Sequence, residues 1–280
     1  MKIGILGLGL IGGSLGLDLR SQGHYVFGVS RRKSTCTKAV ANGCADEASV
    51  DLNLLASAEV VFICTPIGLI IPTVRQLIAH LPSNVIITDV GSVKLPIVQA
   101  VSSMWDNFVG GHPMAGTADS GIEAARRNLF VARPYVLTPT DATQKAAITI
   151  VEEIVRQLGA TVYHCPPEDH DRAVSWISHL PVMVSACLIA ACMGETDAQV
   201  LQLAQKLASS GFRDTSRVGG GNPQLGVMMA QYNRQALLES LQKYRHNLDE
   251  LIGWIERENW SALEEKLRAT QQARSAFVDE

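Results

Sequence analysis

His112 is the residue best suited to move a proton. It stands in Gly110-Gly111-His112-Pro113-Met114-Ala115-Gly116. An imidazole, with an ordinary pKa of about 6.5, can accept a proton at neutral pH. The glycines and proline around it suit a loop after a strand, where the ring can face a ligand; taken alone, such a histidine can equally be a surface or capping residue. Ser92, in Asp89-Val90-Gly91-Ser92-Val93-Lys94, could hydrogen-bond the same ligand, orient a cofactor or cap a helix. His179 follows Ser175 by four positions, so on a helix the two share a face. Arg217, in Asp214-Thr215-Ser216-Arg217-Val218-Gly219, offers a planar fork that grips a carboxylate bidentately. Arg213 is its near competitor.

A second constellation suits a dinucleotide. Gly7-Leu8-Gly9-Leu10-Ile11-Gly12 spells G-x-G-x-x-G directly after the apolar run of residues 2–6. In that context Gly7 makes the tight turn, Gly9 lets the backbone approach a pyrophosphate and Gly12 lets the next helix pack on the sheet. The phosphates belong at the helix N-terminus, where free N–H groups and the helix dipole favour negative charge. Gly7, Gly9, Leu10, Ile11 and Gly12 are therefore expected cofactor contacts. At the end of the next strand, residues 25–29, an acid would select the ribose 2′-OH of NAD. The chain instead reads Ser30-Arg31-Arg32-Lys33. A hydroxyl and adjacent guanidinium groups suit a 2′-phosphate, so the expected cofactor is NADP.

The elements that must hold these residues alternate. Strand-like runs cover 60–64, 85–88, 108–110, 135–137 and 161–163; helix-like stretches cover 14–21, 70–78 and 142–158. This predicts a mostly parallel, doubly wound α/β sheet, a Rossmann domain over residues 1–164. Ligands bind outside the carboxyl ends of such strands, which is where Thr65 and Pro66, Ser92 and His112 fall. From Cys165 on the pattern is all helical, giving a second domain over 165–280. Helices are expected over 168–193, with an interruption near Pro181, and over 197–210. A 33-residue helical pattern over 224–256 is long for one domain and is expected to pack on a partner subunit.

Composition narrows the class. The 280 residues are 47% hydrophobic and 18% charged, with a net charge of -3. That supports a globular core and gives no reason to expect nucleic acid or an anionic membrane as partner. The apolar run 180–194 is too short to span a bilayer and reads as a buried helix. The six cysteines are scattered, with no C-x-x-C and no metal spacing. A reduced, cytoplasmic protein without a metal is expected, and the N-terminus shows no signal-peptide pattern.

The N-terminal glycine motif, Asp89–Lys94, Gly110–Gly116 and Ser178-His179-Leu180-Pro181 occur in an order that resembles the prephenate/arogenate dehydrogenase family of tyrosine biosynthesis. The resemblance runs over nearly the whole chain. It implies transfer of hydride from ring carbon C4 to the nicotinamide, loss of the C4 hydroxyl proton, and departure of the C1 carboxylate as CO₂. It implies that His112 handles the hydroxyl with help from Ser92, that His179 and Ser175 face the substrate, and that Arg217 holds a carboxylate. It also implies a helical dimerisation domain and a homodimer. NADP with a short chain, lacking a fused chorismate mutase or regulatory domain, looks like the arogenate-specific branch; prephenate or broad cyclohexadienyl oxidation is the alternative. Asp171, Asp214 and Gln224 are the acceptors on hand for the ammonium that distinguishes arogenate. Two other readings compete. A β-hydroxyacid dehydrogenase would use a helix lysine, but Lys206 and Lys243 lack the surrounding motif. An NADP-binding redox sensor leaves His112 and Arg217 together unexplained.

Overall fold

The computed structural model describes residues 1–117 and 119–278; the last two residues of the expected helical domain lie outside it. The first half alternates as expected: β1 (Lys2–Leu6), α1 (Leu10–Ser21), β2 (Tyr25–Val29), α2 (Lys33–Ala41), β3 (Glu47–Ser49), β4 (Val60–Ile63), α3 (Ile67–Leu77), β5 (Ile86–Asp89), α4 (Leu95–Ser102), β6 (Phe108–Pro113), β7 (Pro134–Thr138), α5 (Lys145–Gln157) and β8 (Thr161–His164). The short β3 carries no apolar run and escaped sequence reading. The strands form one sheet in the order β3-β2-β1-β4-β5-β6-β7-β8, parallel except for the β6–β7 pair.

Burial on both faces explains why the central strands are apolar throughout. Along β4, Val60 and Phe62 enter one core with Ile3, Ile5, Leu15 and Val151, while Val61 and Ile63 enter the other with Ile70, Val74 and Ile97. This is the two-residue strand period filling two layers. The doubly wound α/β domain is therefore present. The order reverses direction between β1 and β4, the crevice where such sheets bind ligands.

His112 lies within a strand, not in a loop after one. β5 pairs with β6 only through Phe108 and Val109. From Gly110 onward β6 pairs antiparallel with β7, His112 opposite Val136. That second ladder carries the strand to Pro113 after β5 has parted from it, so His112 stands at the fork.

Strands give way to helices after β8. Next come α6 (Pro167–Val174), a π-turn at Ser175–His179, α7 (Leu180–Met193), α8 (Ala198–Leu207), α9 (Ser210–Ser216), α10 (Pro223–Tyr232), α11 (Arg234–Glu256) and α12 (Trp260–Ala273). The helix does not break near Pro181. It absorbs the missing N–H through the π-turn, in which the Leu180 N–H reaches the Ser175 carbonyl. The segment Pro167–Met193 is thus one continuous helix, long and apolar enough by length and composition to cross a membrane. The expectation of a short, buried helix fails here. In α7 only Leu180 and Ser185 are buried, because apolar residues occupy every face and one domain core can cover only one of them.

The 33-residue helix is also divided. Asn233 leaves helical geometry between α10 and α11 (φ -116°, ψ 40°) and turns its side chain inward. Gly211 lies inside α9.

By compactness the chain forms two units, residues 1–234 and the residues from Gln235 onward. The second unit is an α-helical hairpin of α11 and α12. Asn259 caps α12 by accepting the Ala262 N–H at 3.3 Å, and Lys266 donates to Asn247 across the hairpin at 2.8 Å. Tyr244, Leu248, Ile252, Trp260 and Leu267 leave it with exposed apolar side chains.

Candidate active site

The glycine turn is built to admit a phosphate. Gly7 has φ +107°, and a Cβ there would lie 2.5 Å from the Cys64 carbonyl oxygen, so both conformation and space demand glycine. A Cβ on Gly12 would collide with the Gly7 carbonyl, whereas one on Gly9 would meet nothing within 4 Å. Gly9 therefore borders open space at the N-terminus of α1, a helix that no side chain caps. That combination of open cradle and free N–H groups fits a dinucleotide pyrophosphate. Leu10 and Ile11 form the first turn of this helix.

Ser30, Arg31 and Arg32 follow β2. Both arginines are exposed, and among the described residues neither side chain makes a hydrogen bond or ion pair. They precede α2, whose N-terminus also lacks a side-chain cap. Thr65 and Pro66 lie between β4 and α3. The Thr65 hydroxyl is buried with no hydrogen-bond partner among the described residues, an unmet polar group on the same strand edge as the glycine turn.

His112 belongs to a buried polar chain. Its Nδ1 lies 2.8 Å from His170 Nε2, and His170 Nδ1 lies 2.8 Å from Asp171 Oδ1. Asp171 also accepts the N–H groups of Lys94 (2.7 Å) and Leu95 (2.9 Å), closing the N-terminus of α4 from α6. Lys94 is fully buried, ion-paired with Asp89, and donates to the Gly111 carbonyl at 2.7 Å. Asp89 accepts from Gly91 N–H at 2.8 Å and Gly111 N–H at 3.2 Å. The strand end carrying His112 is thus tied to β5 and α6 through charge-assisted bonds.

Burial drives the electrostatics. Desolvation, followed by the neighbouring His170, Lys94 and His179, pushes the His112 pKa well below its ordinary value. The ring is neutral at pH 7, as a proton acceptor must be. His179 is fully buried and depressed to about 4, again chiefly by desolvation. Its Nδ1 is 3.1 Å from Asn233 Nδ2, which donates to the Asp171 carbonyl at 2.7 Å; its Nε2 has no partner among the described residues. Ser175 is buried one turn before it.

His112 and His179 are therefore brought into one cluster with Lys94, His170, Asp171 and Asn233. Ser92 is half-buried two residues before Lys94. It does not cap α4, whose N-cap residue is Lys94 with no side-chain cap bond. No hydrogen bond or ion pair joins Arg217 to the cluster among the described residues. Arg217 is exposed, and its loop is pinned: Ser185 Oγ donates to the Thr215 carbonyl at 2.8 Å and accepts the Gly219 N–H at 2.8 Å. Arg213 instead pairs with Asp214 at 3.0 Å. The Asp171 carboxylate, one of the acceptors on hand for a substrate ammonium in the sequence, is engaged instead by His170 and the α4 N-terminus. His170, Lys94 and Asn233 were missed as site residues. The one local signal was the run Glu168-Asp169-His170-Asp171, a histidine flanked by acids.

Residues 15–164 match the family model for the nucleotide-binding domain of prephenate dehydrogenase, and residues 166–269 match that for its dimerization domain. The chain belongs to the prephenate dehydrogenase family. It is similar to Synechocystis arogenate dehydrogenase, whose crystal structure superposes with a TM-score of 0.91 at 57% identity, over 99% of this chain and 100% of that one. The Aquifex aeolicus prephenate dehydrogenase, solved with hydroxyphenyl propionate and NAD+, superposes with a TM-score of 0.93 at 28% identity, over 99% and 98% of the two chains. The prephenate dehydrogenase of Bacillus subtilis is 31% identical over 91% of this chain and 70% of its own length. The dehydrogenase is thus an oxidoreductase of tyrosine biosynthesis with a nucleotide-binding domain.

Arg217→Ala is expected to raise KM for the anionic substrate with little change in kcat, because a carboxylate grip acts equally in ground and transition states. Loss of a charge-assisted bond of about 1.5–3 kcal/mol gives roughly a ten- to hundredfold rise. Ser185→Ala should raise KM less, by loosening the loop, and Arg213→Ala should leave it near normal. Steady-state kinetics of the three variants check this; an effect confined to Arg213→Ala would transfer the role to that residue.

Proposed function

We propose that the dehydrogenase converts arogenate to tyrosine with NADP, as a homodimer. The observation that carries the chemistry is the neutral, buried His112 at the β6 fork. It is held by His170 and Lys94 at the edge of the sheet that also carries the glycine turn. NADP, when bound, accepts the hydride from ring carbon C4. The turn at Gly7–Gly12 and the N-terminus of α1 hold the pyrophosphate, Ser30, Arg31 and Arg32 the 2′-phosphate, and Thr65 and Pro66 line the approach. His112 takes the C4 hydroxyl proton as the hydride departs; the C1 carboxylate leaves as CO₂ with its bonding pair kept in the ring, and the phenolate oxygen so formed takes the proton back, while Ser92 donates to or accepts from the same oxygen. Arg217 holds a substrate carboxylate; His179 and Ser175 form the buried wall. The exposed apolar faces of α7 and of the α11–α12 hairpin suit burial against a second subunit, consistent with the matched dimerization domain.

Two features support the finer reading: no acid follows β2, where two arginines with unpaired side chains stand, and the sequence identity to the Synechocystis arogenate enzyme, 57%, exceeds the 28% and 31% to the two prephenate dehydrogenases above. The test is kcat/KM for arogenate and prephenate, each with NADP and NAD. Arogenate with NADP is expected to exceed the other three combinations. The NADP advantage should be roughly tenfold or more, as expected from charge-assisted bonds of about 1.5–3 kcal/mol each, and Arg31→Ala/Arg32→Ala should erase most of it. Equal use of NAD would overturn the cofactor assignment. Equal use of prephenate would make the enzyme a broad cyclohexadienyl dehydrogenase.

A further inference from the structure

The chain from Asp171 to His112 dictates where protons sit. The Asp171 carboxylate accepts from Lys94 N–H, Leu95 N–H and His170 Nδ1. An ionised carboxylate only accepts, so the His170 proton is on Nδ1. With that single ring proton, His170 presents a lone pair at Nε2, 2.8 Å from His112 Nδ1. Two lone pairs do not face each other at that distance; His112 Nδ1 must carry the hydrogen. The rings meet edge-on, at 72° with centroids 5.0 Å apart, as an N–H···N bond requires and stacking does not.

We propose that His170 is a positioning residue which, anchored by Asp171, holds His112 in the Nδ1–H tautomer and so leaves His112 Nε2 bare to receive the substrate's proton. The inference rests on the reading of His112 as the base. Without an acceptor at the His170 position, neutral His112 is free to carry its hydrogen on Nε2, the form that cannot take the hydroxyl proton there. When Nε2 does take a proton, the Nδ1–H bond to His170 persists. The resulting cation is then held by a lone pair backed by the Asp171 carboxylate. His170 is buried to 2% exposure, so water is not on hand to substitute for it.

Ring-¹⁵N-labelled enzyme gives the direct test. His112 is expected to show a bare, pyridine-like Nε2 and a protonated, pyrrole-like Nδ1 in the wild type. A proton on Nε2 would overturn the proposal whatever the variants do. His170→Phe keeps an aromatic ring and removes the acceptor; His170→Gln restores an amide oxygen that can accept. The first should lower kcat by about 10²-fold, the low end of positioned acid–base help, with KM for NADP unchanged. The second should regain at least tenfold of that loss. A packing role predicts the reverse order, so His170→Phe equal to or better than His170→Gln would sink the relay. Failure of the base reading looks different: His112→Asn would keep its kcat while the wild-type tautomer stayed Nδ1–H.

Discussion

His112→Asn is expected to lower kcat by about 10²–10⁴-fold, the usual contribution of a positioned general base. Asparagine can still bond to His170, so the fold and NADP affinity should survive. Stopped-flow or steady-state turnover with saturating arogenate measures it, and a kcat within a fewfold of wild type would remove His112 from the mechanism. The same residue sets a pH signature. His112 works only when neutral, and burial, His170, Lys94 and His179 all hold its pKa well below about 6.5, the ordinary value. Activity should therefore stay level as pH drops through 6.5 and fail only at lower pH, as the ring finally gains a proton. An acid limb centred at or above 6.5 would mean the ring is solvated and its depressed pKa is not realised.

Lys94→Met is expected to cost about 3–5 kcal/mol of stability, the usual consequence of removing one member of a buried ion pair. Lys94 and Asp89 are both fully buried. Without the ammonium, Asp89 keeps, among the described residues, the N–H groups of Gly91 and Gly111 as partners and no counter-ion. The lysine itself is poised: burial drives its pKa down, and Asp89 works in the opposite direction. Urea unfolding of Lys94→Met should show a lowered midpoint with an unchanged slope. Lys94→Met/Asp89→Asn should recover much of the loss, because the stranded charge is gone. A single-variant cost below about 1 kcal/mol, the scale of an exposed pair, would show that water reaches Asp89.

Much of the cofactor half was legible in sequence because its determinants are local. The turn at Gly7–Gly12 needs specific backbone geometry within six residues, and the strands of a parallel sheet announce themselves as apolar runs covered on both faces. Six of the eight strands fell within a residue or two of their expected limits; β6 ran on because a non-local ladder to β7 extends it, and β3 was too short and polar to register. Helix ends were harder. Pro181 was expected to break a helix, but a π-turn absorbed it. Asn233 divided what its apolar period presented as one helix, because its side chain had partners to reach at Asp171 and His179.

His112 and Arg217 were singled out from their local settings and from the family resemblance. Sequence by itself determined the nucleotide-binding fold, the basic segment after β2 and the presence of a histidine fit to accept a proton. Only the tertiary structure decided what lowers the pKa of that histidine and which of its nitrogens faces His170. His170 stands 58 residues from its partner, and no periodicity links them. They meet because α6 docks on α4 through Asp171, and because β6 parts from β5 where Lys94 can brace it. Those contacts depend on burial and direction, which residue types and spacing do not encode separately from the fold.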